Sequence, residues 1–368
     1  MKLAIVCDDL IQKGGAEKVV EKLSDIFPDA PIYTSVISKE WSDKFEKKGR
    51  KVVSSFLQKF PFSVKLNRYY APLFLHVLAL ESFDFTEFDV VISSSSRFAH
   101  FIITKPGTRH ICYMHSPGRM FWEPFDYFEN ENYGILRPIK FLSKPFLRFS
   151  LFYYRMIDLN ASKRVDIFIA NSKDTQKKIQ KYYRRDSEII YPFIKFNSFK
   201  DVKYSDEDKY LVVTRLSSWK KVDIAIKACE NLGLKLNVIG SGPDIERLKS
   251  LVGNNTRILG HVEDDVKLKE MGSCKAVIIT QKEDFGIVPL EVMSCGKPVI
   301  AFGKGGVRET VIEGITGEFF LEQSSESLEK VLKNFNYKKY SRENCINRAK
   351  EFDEKVFEDK IKNIVDNV

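Results

Sequence analysis

The stretch from Ala276 to Phe302 constrains the fold of this chain more than any other. It opens with Ala276-Val-Ile-Ile-Thr280 and closes with Pro298-Val-Ile-Ala-Phe302. Both runs are short, apolar and rich in β-favouring residues, so both are predicted to be buried strands. Only a loop and a short helix fit between them. Pro289 is predicted as the first helical residue and Gly296 as the stop. The same alternation recurs along the chain. Strands are predicted at 3–7, 32–36, 90–93, 109–114 and 166–170, then at 210–214, 235–239, 257–259, 276–280 and 298–302. Strands alternating with helical or loop segments argue for an α/β chain whose parallel sheets are covered on both faces. Tyr191-Pro192-Phe193 and the charged segment 200–209 read as a link. This gives one half at 1–192, a second at 193–352, and a last helix at about 353–368. At 368 residues, two or three domains are expected, and 43% hydrophobic residues supply a core for each.

Ligands of such folds bind at the carboxyl ends of the strands, and several segments at those ends carry suitable chemistry. Glu283-Asp-Phe-Gly-Ile-Val-Pro-Leu-Glu291 places one carboxylate in a loop and another on the helix after it. The backbone N–H groups of Phe285, Gly286 and Ile287 then stand at a helix N-terminus, which favours phosphate or sugar oxygens. Glu283 and Glu291 would take sugar and ribose hydroxyls in charge-assisted hydrogen bonds. On spacing alone, the segment reads equally as a charged loop before a helix with one solvated Glu. Arg215 and Lys220 lie just past a predicted strand and suit a diphosphate, Arg bidentately and Lys as a point charge. Taken alone they are also an exposed basic turn. Gly14 and Gly15 follow the first strand, where they form either a tight turn or a close backbone approach to phosphate. His115 follows the apolar run 111–114, at a strand's carboxyl end. A lone histidine is usually a satisfied structural one.

The six cysteines show no paired C-x-x-C spacing, so neither a disulfide framework nor a zinc site is expected. The chain opens directly into a strand, without a charged-then-apolar leader. No apolar stretch reaches membrane-spanning length. The net charge of +9 is uneven. Seven Lys/Arg and one acidic residue, Asp158, lie between Arg137 and Arg164, interleaved with Phe141, Phe146, Phe149, Phe152, Tyr153 and Tyr154. The segment Phe56-Leu-Gln-Lys-Phe-Pro-Phe-Ser-Val-Lys-Leu-Asn-Arg-Tyr-Tyr70 has the same character. Basic residues beside aromatics suit the headgroup level of an anionic membrane. Core-packed helices with solvated basic faces are the alternative. Neither stretch carries a nucleic-acid-binding motif. A cytoplasmic protein, peripheral on the inner face of the cell membrane, is expected.

The ordered series of segments resembles the retaining glycosyltransferases of family four. It comprises Gly14-Gly15-Ala16-Glu17, Tyr113-Met-His115-Ser-Pro117-Gly-Arg119-Met-Phe-Trp122, Ala170-Asn171-Ser172, Tyr191-Pro192, Arg215-Leu-Ser-Ser-Trp-Lys220, Val238-Ile-Gly240-Ser-Gly242-Pro243, Leu259-Gly260-His-Val262, Glu283 to Glu291, and Gly303-Lys-Gly-Gly-Val-Arg-Glu-Thr310. Within that family it looks most like the O-antigen mannosyltransferase branch. The resemblance implies the GT-B fold, two Rossmann-like domains facing across a cleft, with the last helix crossing back to the first domain. It implies that Arg215 and Lys220 hold the donor pyrophosphate, Glu291 the ribose and Glu283 the sugar. The backbone near Val262 would meet the nucleobase. His115, with Arg119 and Trp122 just beyond, would lie near the sugar or acceptor, although Trp122 reads equally as packing. Gly15 would contact the diphosphate or the acceptor. The family often has Gly where this chain has Thr214, which leaves the pose there open.

The implied reaction is metal-independent transfer of a hexose with retention, most simply mannose from GDP-mannose, onto a glycan or lipid-linked oligosaccharide in cell-surface polysaccharide synthesis. No cofactor is expected beyond the donor substrate. A UDP-sugar-dependent transferase, a sugar-nucleotide epimerase or hydrolase of the same fold, and a non-catalytic partner of another transferase are the competing readings.

Overall fold

The computed structural model describes residues 1–12, 14–70, 73–123 and 140–368. They fall into two compact units. One comprises the described residues of 1–190 with Glu358–Val368, and the other comprises Tyr191–Phe357. Each is built on one parallel sheet, so the chain is a two-unit, Rossmann-like α/β protein.

The first sheet has seven strands in the order β3-β2-β1-β4-β5-β6-β7. These are β1 (Leu3–Cys7), β2 (Ile32–Thr34), β3 (Val52–Ser54), β4 (Val90–Ser95), β5 (Arg109–Met114), β6 (Ile167–Ala170) and β7 (Glu188–Ile189). Every residue of β1 and of β4 is buried, as expected of central parallel strands covered on both faces. Their register runs from Leu3 opposite Val90 to Cys7 opposite Ser94. Chain order reverses between β1 and β4, which makes their carboxyl ends the switch point of this sheet.

The second sheet repeats the plan in the order β10-β9-β8-β11-β12-β13. Its strands are β8 (Tyr210–Val213), β9 (Leu236–Ile239), β10 (Thr256–Gly260), β11 (Val277–Ile279), β12 (Val299–Phe302) and β13 (Gly317–Phe320). The period of two is visible in its packing. Val277, Ile279, Val299 and Ala301 enter one core, while Ile278, Ile300 and Phe302 enter the other. Its switch point lies between β8 and β11.

Ten of the thirteen strands coincide with predicted ones. The other three, β3, β7 and β13, are Val-Val-Ser, Glu-Ile and Gly-Glu-Phe-Phe, too short or too interrupted for a periodic signal. The helix after β11 differs from expectation. It spans Ile287–Ser294, so Pro289 is its third residue and not its first. Proline is tolerated there because an N–H in the first turn has no partner within the helix. The stop lies at Gly296, where Gly296 N–H donates to Met293 O (2.9 Å) and Lys297 N–H to Val292 O (3.2 Å). The last helix, Glu354–Asp366, ties its second half into the first unit through Lys22 Nζ–Glu358 at 2.8 Å. All six cysteines are buried and free of disulfides, and burial pushes the Cys112 thiol up to about 12.

Candidate functional site

At the switch point of the second sheet, three loops are fastened to one another by backbone. The loop after β8 carries Arg215, and the loop after β9 lies directly against it. Leu216 N–H donates to Ser241 O (2.9 Å), and Asp244 N–H donates to Leu216 O (3.1 Å). Gly240 permits this. A Cβ there would lie 1.8 Å from Thr214 O, and its φ of 145° is one that side-chain-bearing residues rarely adopt. Arg215 is exposed at this edge, and Thr214 is half-buried. Lys220 closes a short 3-10 turn, Ser218–Lys220, just before the helix Val222–Leu232. Its Nζ lies 4.2 Å from the centre of the Trp219 ring.

Lys220 and Glu283 meet. Lys220 Nζ is 2.8 Å from Glu283 Oε1, and both side chains are largely buried. Gln281 Nε2 donates to the same carboxylate oxygen. The Lys220 backbone is held in turn, since Thr280 Oγ1 donates to Lys220 O (2.7 Å) and Gln323 Nε2 donates to Thr280 O (2.9 Å). The glycine loop after β12 completes the arrangement. Gly306 N–H donates to Glu283 O (2.7 Å). A Cβ on Gly305, whose φ is +80°, would lie 2.2 Å from that same oxygen. The segment 283–286 is therefore pinned from two sides. Its Phe285 ring is buried against Tyr191 and Phe352, leaving the backbone to face the loop surface. Gly286 precedes the Ile287–Ser294 helix with no side-chain cap, so the helix dipole adds positive potential to that of Lys220.

Glu291 sits deeper on this helix. It is buried, with Lys267 Nζ from the Asp264–Ser273 helix 3.6 Å from Oε2. Ile287 and Val262 are half-buried and pack against the surrounding core. His261, between Gly260 and Val262, is exposed. The structure thus groups Lys220 with Glu283 and the backbone of Phe285 to Ile287, and places Arg215 on the loop anchored to the β9 end. Sequence reasoning missed Gln281, which stands two residues before its partner Glu283, and Gln323 and Lys267, whose partners Thr280 and Glu291 are distant in the chain.

In the first unit, His115 directly follows β5. Its Nε2 is 2.9 Å from Ser94 Oγ, its N–H donates to Ser95 O (2.8 Å), and its carbonyl accepts from Thr175 Oγ1 (3.2 Å). The three consecutive serines of β4 each meet a different histidine, since Ser93 pairs with His110 (2.8 Å) and Ser95 with His100 (2.9 Å). His110 is wholly buried and pushed down to about 3, chiefly by loss of solvent, which leaves it neutral. Trp122 proves to be a packing residue. Its indole donates to Asp158 Oδ2 (2.7 Å) and stacks on Tyr182.

Gly15 begins the helix Gly15–Ile26 at the switch point of the first sheet. Acidic groups surround it. Glu17 is buried, and a Cβ on Gly14 would lie 2.7 Å from its Oε2. Asp8 accepts from the N–H groups of Ser96, Phe98 and Ala99 at 2.6–2.7 Å. Asp9 pairs with Arg97 and accepts from Asn67 Nδ2 at 2.8 Å. Burial, reinforced by the nearby Asp9 charge, pushes the Glu17 carboxyl up to about 7.

Comparison with known proteins shows the family and the fold. A model described as Glycosyltransferase Family 4 matches residues 13–197, and one described as Glycosyl transferases group 1 matches residues 193–352. An uncharacterized glycosyltransferase of Methanocaldococcus jannaschii is 29% identical over 230 residues, 55% of this chain and 59% of that protein. The alpha-1,3/1,6-mannosyltransferase ALG2 of Saccharomyces cerevisiae is 27% identical over 220 residues, covering 45% of this chain and 44% of its own length. The chain thus spans about half the length of the curated relatives it matches. Among solved structures, Anabaena HepE in complex with UDP shares the fold, with a TM-score of 0.71 over 100% of both chains at 18% identity. With two family models that together run from residue 13 to residue 352, this chain belongs to the family 4 glycosyltransferases of the GT-B fold.

Proposed function

We propose that this chain is a retaining hexosyltransferase that binds a nucleotide-diphosphate sugar at the switch point of its second unit. The observation that carries this reading is the Lys220–Glu283 pair, pinned beside the uncapped Ile287–Ser294 helix. A lone carboxylate there would repel a diphosphate. Lys220 at 2.8 Å offsets that charge, so Glu283 can serve sugar hydroxyls beside phosphates. Arg215 and Lys220 stabilise the charge that grows on the departing diphosphate, a fixed electrostatic contribution to catalysis. The backbone of Phe285 to Ile287 receives phosphate or sugar oxygens. Glu291 takes the ribose hydroxyls, and the Val262 segment takes the base. His115, at the end of β5, is assigned to a hydroxyl of the sugar or the acceptor. The acceptor hydroxyl attacks the face the diphosphate leaves, and its proton passes to the leaving phosphate oxygen. No step in this reading calls on a metal.

Mannose from GDP-mannose is the preferred donor, because the ALG2 relatives transfer mannose. The preferred acceptor is a glycan or lipid-linked oligosaccharide of surface polysaccharide synthesis. Thermal unfolding with GDP, UDP, ADP and their sugar derivatives tests the donor. A nucleotide at a hundredfold over its Kd adds about 2.7 kcal/mol. A response selective for GDP and GDP-mannose, lost in Glu291→Ala, is the expected result. A UDP-selective response keeps the transferase and discards mannose, and no response to any nucleotide refutes the reading.

A further inference from the structure

The helix Lys140–Ser162 in the first unit is apolar on two sides. Its inner side is ordinary core. Leu151, Tyr154 and Ala161 are buried, and Tyr154 stacks between Phe74 (4.2 Å) and Phe121 (4.5 Å). Its outer side repeats large apolar residues at helical spacing. Phe149, Phe152, Tyr153 and Met156 are between 42% and 60% exposed. One stripe of this kind buries a helix against its own protein, and a second, left in solvent, calls for another apolar phase. The patch continues onto the neighbouring segment. Leu73 is 56% exposed beside the Phe74 that stacks on this helix. Arg137 and the side chains of Arg68, Lys140, Phe141, Lys144 and Phe146 lie outside the described residues.

The exposed charges of this helix and of the 56–70 segment have one sign among the described residues. Arg148 on the helix and Lys163 just past its end are exposed, as are Lys59 and Lys65 on the 56–70 segment, which has no acidic residue. The one carboxylate of the helix, Asp158, is fully buried between His100 (3.0 Å) and Trp122 (2.7 Å). A second copy docked on the same face would set cation against cation. An anionic headgroup layer meets both requirements, with apolar depth for the rings and negative charge for the rim.

We propose that this face of the first unit docks on anionic lipid bilayers, with Phe149, Phe152, Tyr153 and Met156 at headgroup depth and the four basic side chains on the phosphates. The proposal rests on the first unit alone and stands apart from the choice of donor. It is tested by co-sedimenting the full chain with phosphatidylglycerol/phosphatidylcholine vesicles and with pure phosphatidylcholine. Binding to the anionic vesicles, weakened by raising salt from about 0.1 to about 0.5 M, is expected. Burying two phenylalanine rings even partly is worth about thirtyfold in partitioning, which Phe149→Ser with Phe152→Ser should remove. Each basic residue contributes about fivefold, so Arg148→Gln with Lys163→Gln should cost about tenfold or more. Unchanged melting temperature and nucleotide response in both variants exclude misfolding as the cause. The proposal is overturned if the wild-type chain ignores anionic vesicles, or if both variants bind like wild type. It is equally overturned if ultracentrifugation shows a dimer that Phe149→Ser with Phe152→Ser dissociates, which would assign the face to a second copy.

Discussion

Glu17 should make the folded chain lose stability as pH rises through neutrality. Its carboxyl ionises at about 7 in the folded chain, against an ordinary value of 4.5, mainly because it is buried. The sign follows from proton counting. Between those two values the folded chain keeps the Glu17 proton and the unfolded chain has released it, so raising the pH favours unfolding. The stabilising proton is fully held below the unfolded value and is lost as pH passes through the folded one. A difference of that size corresponds to roughly 3 kcal/mol once both forms are ionised. About 2 kcal/mol of it falls between pH 5.5 and 8.5. Glu17→Gln retains the shape and hydrogen-bonding capacity of the protonated side chain but cannot ionise. Urea midpoints of the two proteins should therefore coincide only at about pH 4 and below, separate already by about pH 5.5 and diverge further by about pH 8.5, with the variant the more stable. Parallel pH profiles for the two proteins would refute the reasoning and show that Glu17 is solvated or charge-compensated in the fold.

Gly240→Ala should cost roughly 2–4 kcal/mol and weaken nucleotide binding, because a methyl group 1.8 Å from Thr214 O forces the Arg215 loop outward; thermal unfolding with and without nucleotide reads both effects. Lys297 is fully buried with Nζ 2.7 Å from Asp206 Oδ1. Asp206→Ala, which removes the carboxylate partner and leaves the buried ammonium only Ser205 O and the Tyr204 ring, should destabilise by about 1–3 kcal/mol, while Lys297→Met should be close to neutral in the same urea titration. Glu283→Gln should leave the Kd for nucleotide within a few-fold and lower kcat by about a hundredfold. Lys220→Met should weaken the nucleotide about tenfold or more, and calorimetry beside steady-state kinetics separates the two effects. Wild-type kinetics in both variants would remove this pair from the site.

Most of the strands were legible because central parallel strands are buried on both faces and so appear as unbroken apolar runs. The exceptions show where that signal fails. In β13, Gly317-Glu-Phe-Phe320 carries a charge at its second position, yet Tyr340 Oη donates to Glu318 Oε1 at 2.6 Å and satisfies it. The helix start at Ile287 was misplaced because proline fits the third position of the first turn as well as the first. Within the candidate site, Arg215, Lys220 and Glu283 were legible through the family resemblance, since type and spacing alone also fit an exposed basic turn and a charged loop. Gln323 and Lys267 were not, because each acts through a partner distant in the chain, and Gln281 was not because a neutral amide two residues before Glu283 carries no charge signal. Trp122 illustrates the reverse case. It sits in a motif-like run, but its indole is committed to Asp158 inside the unit.

The two switch points share a topology and differ in charge, and that difference determines which can accept an anion. At β1 and β4 the chain gathers Asp8, Asp9 and Glu17 against Arg97, with the two aspartates bound by backbone N–H groups and the arginine. Those carboxylates brace the loops, and a diphosphate would meet negative charge there. At β8 and β11 the side chains include Arg215, Lys220 and Glu283, the Glu283 carboxylate is offset by Lys220, and an uncapped helix start adds to the positive potential. A strand order shared over six strands therefore carries a basic loop edge in the second unit and an acidic one in the first. Gly15 is then better suited to a sugar or acceptor hydroxyl than to phosphate. A Glu17 that keeps its proton near neutral pH belongs to the same logic, since the fold suppresses one negative charge beside that glycine turn.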